Sequence, residues 1–531
     1  MSKVDLKVES VLDDLVNQFS DPHAFFRELI QNAIDAGSGE VEVSFAYDDD
    51  AGVMTARVDD FGEGMTREII ESKLTRLFSS GKDADFTKIG KFGIGFVSVF
   101  AVAPDVVCVD TGRSGEYWRV LFHADRSYDL IRLDAPVEGT QIRIIKAMDR
   151  TAYADFRARS RRVIRYWCKH VRVPLFVDGV EYNEPFEVDA DPVVTLEEEG
   201  TRVVAGFVAT RQGAYGFYNR GLTLKEGDES PWPHVTLKID SRYLEHTLTR
   251  DQVLQDRNYH KAMELLRRVA EEDLPEALYA ALERAATRRE PAPALWARLR
   301  AYLGSYGELT AAARRRPIVH TLTGEVLTLR EVASRAKKRT LYLCEAPTYT
   351  ARAVAKEAAV VVAPELSGLE TVVHVAFGAR VARVGEAWAA ARPSDLGTRY
   401  GADALRDELD ALVGAMGDGG PRAAYAHLDD PGAPTRGALA VCVAELGAVV
   451  PVGELIRPSI ANLQHEGALA VNADDARVAR LVEVATREPE WAALALMKMI
   501  LLEQQDLTRE VDTRLTQEAA ARRAARLGRS S

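Results

Sequence analysis

The chain has 531 residues, length for roughly two to four domains. Apolar residues make up 47% and charged residues 28%, the balance of a soluble globular protein rather than of a fibrous or low-complexity one. The formal charge of −12 makes the surface as a whole repel nucleic acid and anionic membrane, unless a local basic patch overrides it. The four cysteines, at 108, 168, 344 and 442, lie far apart without zinc-ligand spacing and read as buried or isolated thiols of a reducing compartment. The first residues lack the basic start and apolar core of a signal peptide. The most apolar later stretch, 437–456, is broken by Glu445 and Glu454, so no bilayer span and a cytoplasmic location are expected.

In chain order, residues 5–19 read as a short amphipathic helix, and Ser20-Asp21-Pro22 stops it and starts the next, with Pro22 suited to a first helical position. That next helix covers 25–36 and ends near Gly37. Residues 40–47 alternate as a strand with Val41, Val43 and Phe45 on one face, and 53–58 is its hairpin partner. Helices are expected at about 66–77 and 93–102, and strands at 106–110, 117–122 and 140–145. A mixed sheet covered by helices on one face fits this order. A basic helix comes next at 157–170, then a strand at 171–177 turned back by Asp178-Gly179. Pro185, Pro192 and Glu197-Glu198-Glu199-Gly200 interrupt the periodic pattern and mark a boundary near 185–200. Strands at 203–209, 215–219 and 235–239 and the helix after Thr249 open a second region. Pro291-Ala292-Pro293 breaks the chain after the helices of 258–288. Residues 358–363 and 371–375 read as strands, and 421–434 as a linker or long loop. The remainder reads mostly as helix, with 439–450 open to strand, and 518–531 is expected to be an exposed helix that frays.

The chemistry concentrates in the helix at 25–36. Glu28 and Asn32 are four residues apart and share one helical face, with Asp35 three further along the same side. A carboxylate there can orient a water and take its proton, so Glu28 is the candidate general base. The amide oxygen of Asn32 suits Mg²⁺, which keeps several waters and completes its shell with phosphate oxygens. Glycine-rich turns come after it: Asp60-Phe61-Gly62-Glu63-Gly64-Met65, then Ser79-Ser80-Gly81-Lys82, then Gly90-Lys91-Phe92-Gly93-Ile94-Gly95-Phe96, and Gly139-Thr140 at the start of a strand. Gly90, Gly93 and Gly95 precede a helix whose free N–H groups can donate to phosphate oxygens, with Lys91 adding positive charge. No G-x-x-x-x-G-K-[ST] run is present, so this is not a P-loop; the site is built from backbone amides and a lid, with 79–87 the lid candidate.

The four motifs, in this order within one domain-sized stretch, resemble the ATP-binding domain shared by gyrase B, Hsp90, histidine kinases and MutL. The resemblance implies a Bergerat-type sandwich of a mixed sheet and helices, binding ATP with Mg²⁺. It implies that Asp60 accepts hydrogen bonds from the adenine amine, that Gly62 and Gly64 let the backbone approach the base, and that Met65 lies against the ring. It implies that Thr140 serves the adenine subsite and that Asp35 supports the loops around the pocket. Ser80, Gly81 and Lys82 fall in the lid; Phe92, Ile94 and Phe96 fall in the phosphate segment.

The second region resembles the Hsp90 middle domain. Thr249-Arg250 stands where that family has a serine-arginine pair, so Arg250 is the candidate for reaching the γ-phosphate. Tyr218-Asn219-Arg220-Gly221-Leu222 also looks like that domain, with Arg220 supporting the loop. Beyond residue 290 the resemblance fades, and the family's dimerisation domain is not recognisable. The whole therefore reads as an α/β (α+β) multidomain chain. Its parts are an ATP-binding domain at 1–190, a middle-like domain at 200–290, a small α/β domain at 291–420 and a mainly helical domain at 435–531. The implied activity is ATP hydrolysis driving a chaperone-like conformational cycle, with ATP and ADP, client or partner proteins and a homodimer as partners, and no membrane. A nucleotide-regulated interaction switch with slow or no turnover is the alternative. A DNA-processing ATPase is a weaker one, permitted by the arginines of 157–170, although nucleic acid is not expected.

Overall fold

A computed structural model of the chain describes residues 21–75, 94–246, 252–307, 309–311, 313–363, 366–417, 419–428 and 432–528. The chain divides into two compact units, Met1–Ala277 and Leu278–Ser531.

The first unit opens on helix α1 (Phe25–Asp35), preceded by the tight turn Pro22–Ala24, whose cap is the Asp21 carboxylate accepting from the His23 amide at 2.9 Å. Eight strands come after it: β1 (Val41–Asp48), β2 (Val53–Asp60), β3 (Val106–Arg113), β4 (Glu116–His123), β5 (Tyr128–Arg132), β6 (Thr140–Ala147), β7 (Leu175–Val177) and β8 (Val180–Glu181). They form one sheet in the order β5-β4-β3-β6-β2-β1-β7-β8, antiparallel except for the β1–β7 pair. The sheet is mixed, as expected. Val41, Val43 and Phe45 alternate into the core, where they meet Phe25, Phe26 and Ile30 of α1 and Phe156 and Ile164 of helix α2 (Arg150–Cys168). Three expectations change. The helix at 66–77 is a short α-turn, Arg67–Ile69, running into a wider turn, Ile70–Leu74, in which the Thr75 amide reaches the Ile70 carbonyl. The helix at 93–102 tightens after Val97 into a narrow turn that ends at Ala103, in the left-handed region. The strand expected at 171–177 is only Leu175–Val177.

A second sheet in this unit holds β9 (Val193–Glu198), β10 (Thr201–Phe207), β11 (Tyr215–Asn219), β12 (Leu222–Gly227) and β13 (Val235–Ser241) in the order β12-β11-β13-β10-β9. Strand β9 occupies the acidic stretch that reads in the sequence as an interruption. It lies at the sheet edge with much of its surface in water, so its glutamates need no burial.

The second unit holds a three-stranded parallel sheet (Ala359–Val362, Leu341–Cys344, Ala382–Arg383) and a four-stranded sheet (Arg392–Pro393, Arg422–His427, Ala468–Asn472, Ala440–Val443) among helices. The β-branched run at 371–375, expected as a strand, lies inside the helix Leu366–Phe377. There Leu369, Val372 and Val373, at helical spacing, are buried, and packing overrides propensity. The stretch expected as a linker at 421–434 contains an inner strand of the four-stranded sheet, Arg422–His427. That sheet also makes this end of the chain less purely helical than expected. The last helix, Arg509–Gly528, is pinned rather than loose: Leu515 and Ala519 are buried, and Arg522, Arg523 and Arg526 pair with Glu408, Glu488 and Glu490. All four cysteines are buried and free. Among the described residues, no helix is long and apolar enough to cross a membrane.

Where β2 ends, three chain segments touch through glycine. A Cβ on Gly64 (φ +65°) would lie 2.1 Å from the Gly112 carbonyl, and one on Gly139 (φ +62°) would lie 2.0 Å from the Asp60 carbonyl. Gly115 also has positive φ but opens onto space. Gly139→Ala is therefore expected to destabilise the first unit by about 2–4 kcal/mol, against about 1 kcal/mol for Gly115→Ala. Denaturant unfolding of the two variants checks this; equal midpoints would contradict the close packing.

Candidate nucleotide site

Helix α1 is buried around most of its first two turns. Phe25, Phe26, Leu29, Ile30 and Ala33 face the core, and the neighbouring Arg27 and Glu28 are 3% and 5% exposed. The Arg27 guanidinium lies 4.8 Å over the Trp167 ring, and burial lowers its pKa to about 10. Glu28 points to the start of the helical turn at Ile94–Val97. A Cβ on Gly95 would fall 2.7 Å from Glu28 Oε2, so glycine at 95 is what lets the carboxylate sit against the glycine-rich segment. Asn32, one turn along α1, is exposed. The helix ends at Gly37 (φ +74°), with the Ser38 amide donating to the Ala33 carbonyl at 3.0 Å. Asp35, in the last turn, is ion-paired to Arg220 of the second sheet.

Asp60 closes β2, opposite Thr140 in register. Its Oδ1 accepts from the Gly62 amide at 2.9 Å. Burial pushes the Asp60 carboxyl above the usual aspartate range, while hydrogen bonds from the Gly62 and Thr140 backbone pull the other way and Asp59 adds to the rise. Asp59 is buried too, but Arg57 neutralises it at 2.6 Å. Of the two neighbours, Asp59 is held by an arginine, whereas Asp60 accepts from backbone amides. Gly62 and Gly64 spend their missing side chains on protein: a Cβ on Gly62 would lie 2.7 Å from the Ala36 carbonyl, and one on Gly64 would strike Gly112. The Thr140 hydroxyl is 3.1 Å from that of Thr111 rather than on the Asp60 carboxylate. Met65 is half-buried and packs on the core.

Two residues that sequence reasoning missed hold this loop. Thr111 is fully buried; its hydroxyl accepts from the Met65 amide at 2.9 Å and donates to the Gly139 carbonyl at 3.1 Å. Ser38 accepts from the Phe61 amide at 2.9 Å. Ser38 sits between Gly37 and Gly39 and Thr111 directly before Gly112, but neither falls in the four glycine-rich turns named above; the strand register β3–β6, which sets Thr111 opposite Thr140, brings the first of them into view.

Of the phosphate segment, Gly95 and Phe96 are described, together with the backbone of Ile94. The Phe96 ring belongs to the core, 5.3 Å from that of Phe122, so only its backbone can face a ligand. Ser80, Gly81, Lys82, Gly90, Lys91, Phe92, Gly93 and Arg250, with the lid at 79–87, lie outside the described residues. Among the described residues no group of three or more His, Cys, Asp or Glu could hold a metal ion. The residues present fit Mg²⁺ of the kind that takes one protein oxygen and the rest from phosphate and water: Asn32 exposes an amide one helical turn from the Glu28 carboxylate, which lies against Gly95.

The family of histidine kinase-, DNA gyrase B-, and HSP90-like ATPases matches residues 22–144. The chain is also similar to the chaperone protein HtpG of Actinobacillus pleuropneumoniae serotype 5b (strain L20) and of serotype 3 (strain JL03). Each is 28% identical over 209 residues, covering 34% of this chain and 33% of the relative. The match thus spans about a third of the relatives' length. Every described part of the pocket, from α1 through the Asp60 loop and Gly95 to Thr140, falls inside the matched segment, and residues 22–144 are an ATPase domain of the superfamily that joins histidine kinases, gyrase B, Hsp90 and MutL.

Proposed function

We propose that this chain binds ATP with Mg²⁺ and hydrolyses it, and that hydrolysis drives a chaperone-like conformational cycle. The observation that carries the reading is the buried Glu28 carboxylate seated against Gly95, where the helix and the glycine-rich segment converge. A carboxylate held there can align a water on the γ-phosphorus and accept its proton as the P–O bond to ADP breaks. Asn32 would hold the magnesium ion, which supplies charge neutralisation on the phosphates. Backbone N–H groups at the start of the Ile94–Val97 turn would donate to phosphate oxygens. Asp60, as an ionised acceptor, selects adenine over guanine, which presents an oxygen at the matching position. Arg250 reaches the transferring phosphoryl group, and the lid at 79–87 closes over it. Client proteins and a homodimer complete the reading, in which the chaperone role is carried over from the HtpG relatives, matched over about a third of their length.

The arginines of α2 give no support to a DNA-processing role. Arg157 and Arg161 face Asp178, Arg159 faces Asp21, Arg165 faces Glu184 and Arg150 faces Asp49, so the helix is not a bare cationic surface.

Glu28→Ala is expected to lower steady-state ATP turnover by about 100-fold or more while leaving ADP affinity within about twofold. A wild type that binds ATP with little or no turnover, unchanged in Glu28→Ala, would favour the interaction switch instead. A second test uses pH. The Asp60 carboxyl titrates above the ordinary aspartate value and must be ionised to accept the adenine amine. ADP affinity is therefore expected to be full above that raised value and to fall as pH drops through it, earlier than an unperturbed aspartate near about 3.9 would produce. Asp60→Asn is expected to flatten the profile and erase the preference for ADP over GDP. A wild-type profile already flat down to the ordinary range would contradict the adenine role.

A further inference from the structure

The turn joining β11 to β12 is a two-residue hairpin loop, Arg220-Gly221, between the paired residues Asn219 and Leu222. Both loop residues have positive φ, +51° and +83°. Such a turn is best served by Asn-Gly or Asp-Gly, and arginine enters the left-handed region only at a cost. The turn is tightly fixed. The Gly221 amide donates to Asp240 at 3.0 Å, Asn219 donates to the Leu244 carbonyl, and a Cβ on Gly221 would lie 2.0 Å from the His170 carbonyl. From this fixed base Arg220 Nη1 reaches Asp35 Oδ1 at the far end of α1.

Asp35 is an acidic residue in the last turn of a helix, where the exposed carbonyls already concentrate negative charge, so alone it favours fraying. The Arg220 cation cancels that penalty. The residues just past Asp35 hold the adenine loop: the Ala36 carbonyl accepts from the Glu63 amide at 3.0 Å and the Ser38 hydroxyl from the Phe61 amide at 2.9 Å. From those two bonds the chain leads directly to Asp60 and Gly62.

We propose that Arg220 is a positioning residue for the nucleotide: through Asp35 it fixes the end of α1, and through Ala36 and Ser38 it sets the 60–64 loop, so that the second sheet tunes nucleotide affinity. This role rests on the chain being a nucleotide binder. The structural need at 220 is for a residue that accepts positive φ; the cation answers a different need.

Isothermal titration of ADP into the full chain, with thermal melting alongside, separates the two. Arg220→Asn suits the turn better and removes the charge. It is expected to melt no lower than the wild type yet bind ADP roughly two- to fivefold more weakly, with the gap shrinking as salt is raised because the pair is partly exposed. Arg220→Lys is expected to recover most of the affinity. ADP affinity unchanged in Arg220→Asn, or lost equally in Arg220→Lys, would overturn the proposal. Failure of the wild type to bind ADP would instead remove the nucleotide reading beneath it.

Discussion

The site depends on one constraint: a carboxylate must be kept almost out of water at the point where a helix meets a glycine-rich segment. Burying an ionisable group is costly, and a fold keeps such a group where its surroundings make use of it. Here the cost is borne by α1, whose phenylalanines and aliphatic residues anchor it so firmly that Arg27 and Glu28 are drawn in with them. Gly95 completes the arrangement by being the residue without a side chain at the point of contact. The strand order obeys a related logic. β2 and β6, adjacent in the sheet, bring Asp60 and Thr140 to the same end, and β3 beside them supplies Thr111.

Much of this was legible in the residues because it is local. The helical spacing of Glu28 and Asn32, the alternation of Val41, Val43 and Phe45, and the glycines flanking Asp60 and Gly95 each state their geometry within a few positions. What was illegible is set by partners distant in the chain. Thr111 and Ser38 carry no motif and matter only through what the fold brings to them. Gly62 and Gly64 read in the sequence as room for a base, whereas their closest neighbours are the Ala36 and Gly112 carbonyls. In the second unit, Leu369, Val372 and Val373 have strand-forming neighbours and yet lie on one face of a helix, because burial there is decided by packing and not by propensity. Residues 422–427 were hidden by the prolines and glycines that flank them, although their own alternation buries Ala423 and Tyr425.

The first unit also explains why a nucleotide pocket in this chain need not act alone. The basic helix α2 spends its charge on Asp178, Glu184 and Asp21, within the same unit. At its C-terminal end Lys169 pairs with Glu226 and the Tyr166 carbonyl accepts from Thr223, so the second sheet is tied to α2 by polar bonds as well as to α1 through Arg220. Such bonds transmit position better than a purely apolar contact, since each fixes direction as well as distance.

The most direct test of the central claim is a crystal structure of the chain with Mg²⁺ and a non-hydrolysable ATP analogue. The account predicts the triphosphate over Gly95, with a water between the γ-phosphorus and the Glu28 carboxylate and within hydrogen-bond reach of the latter. A nucleotide bound elsewhere, or one bound here with Glu28 turned away from its terminal phosphate, would contradict it.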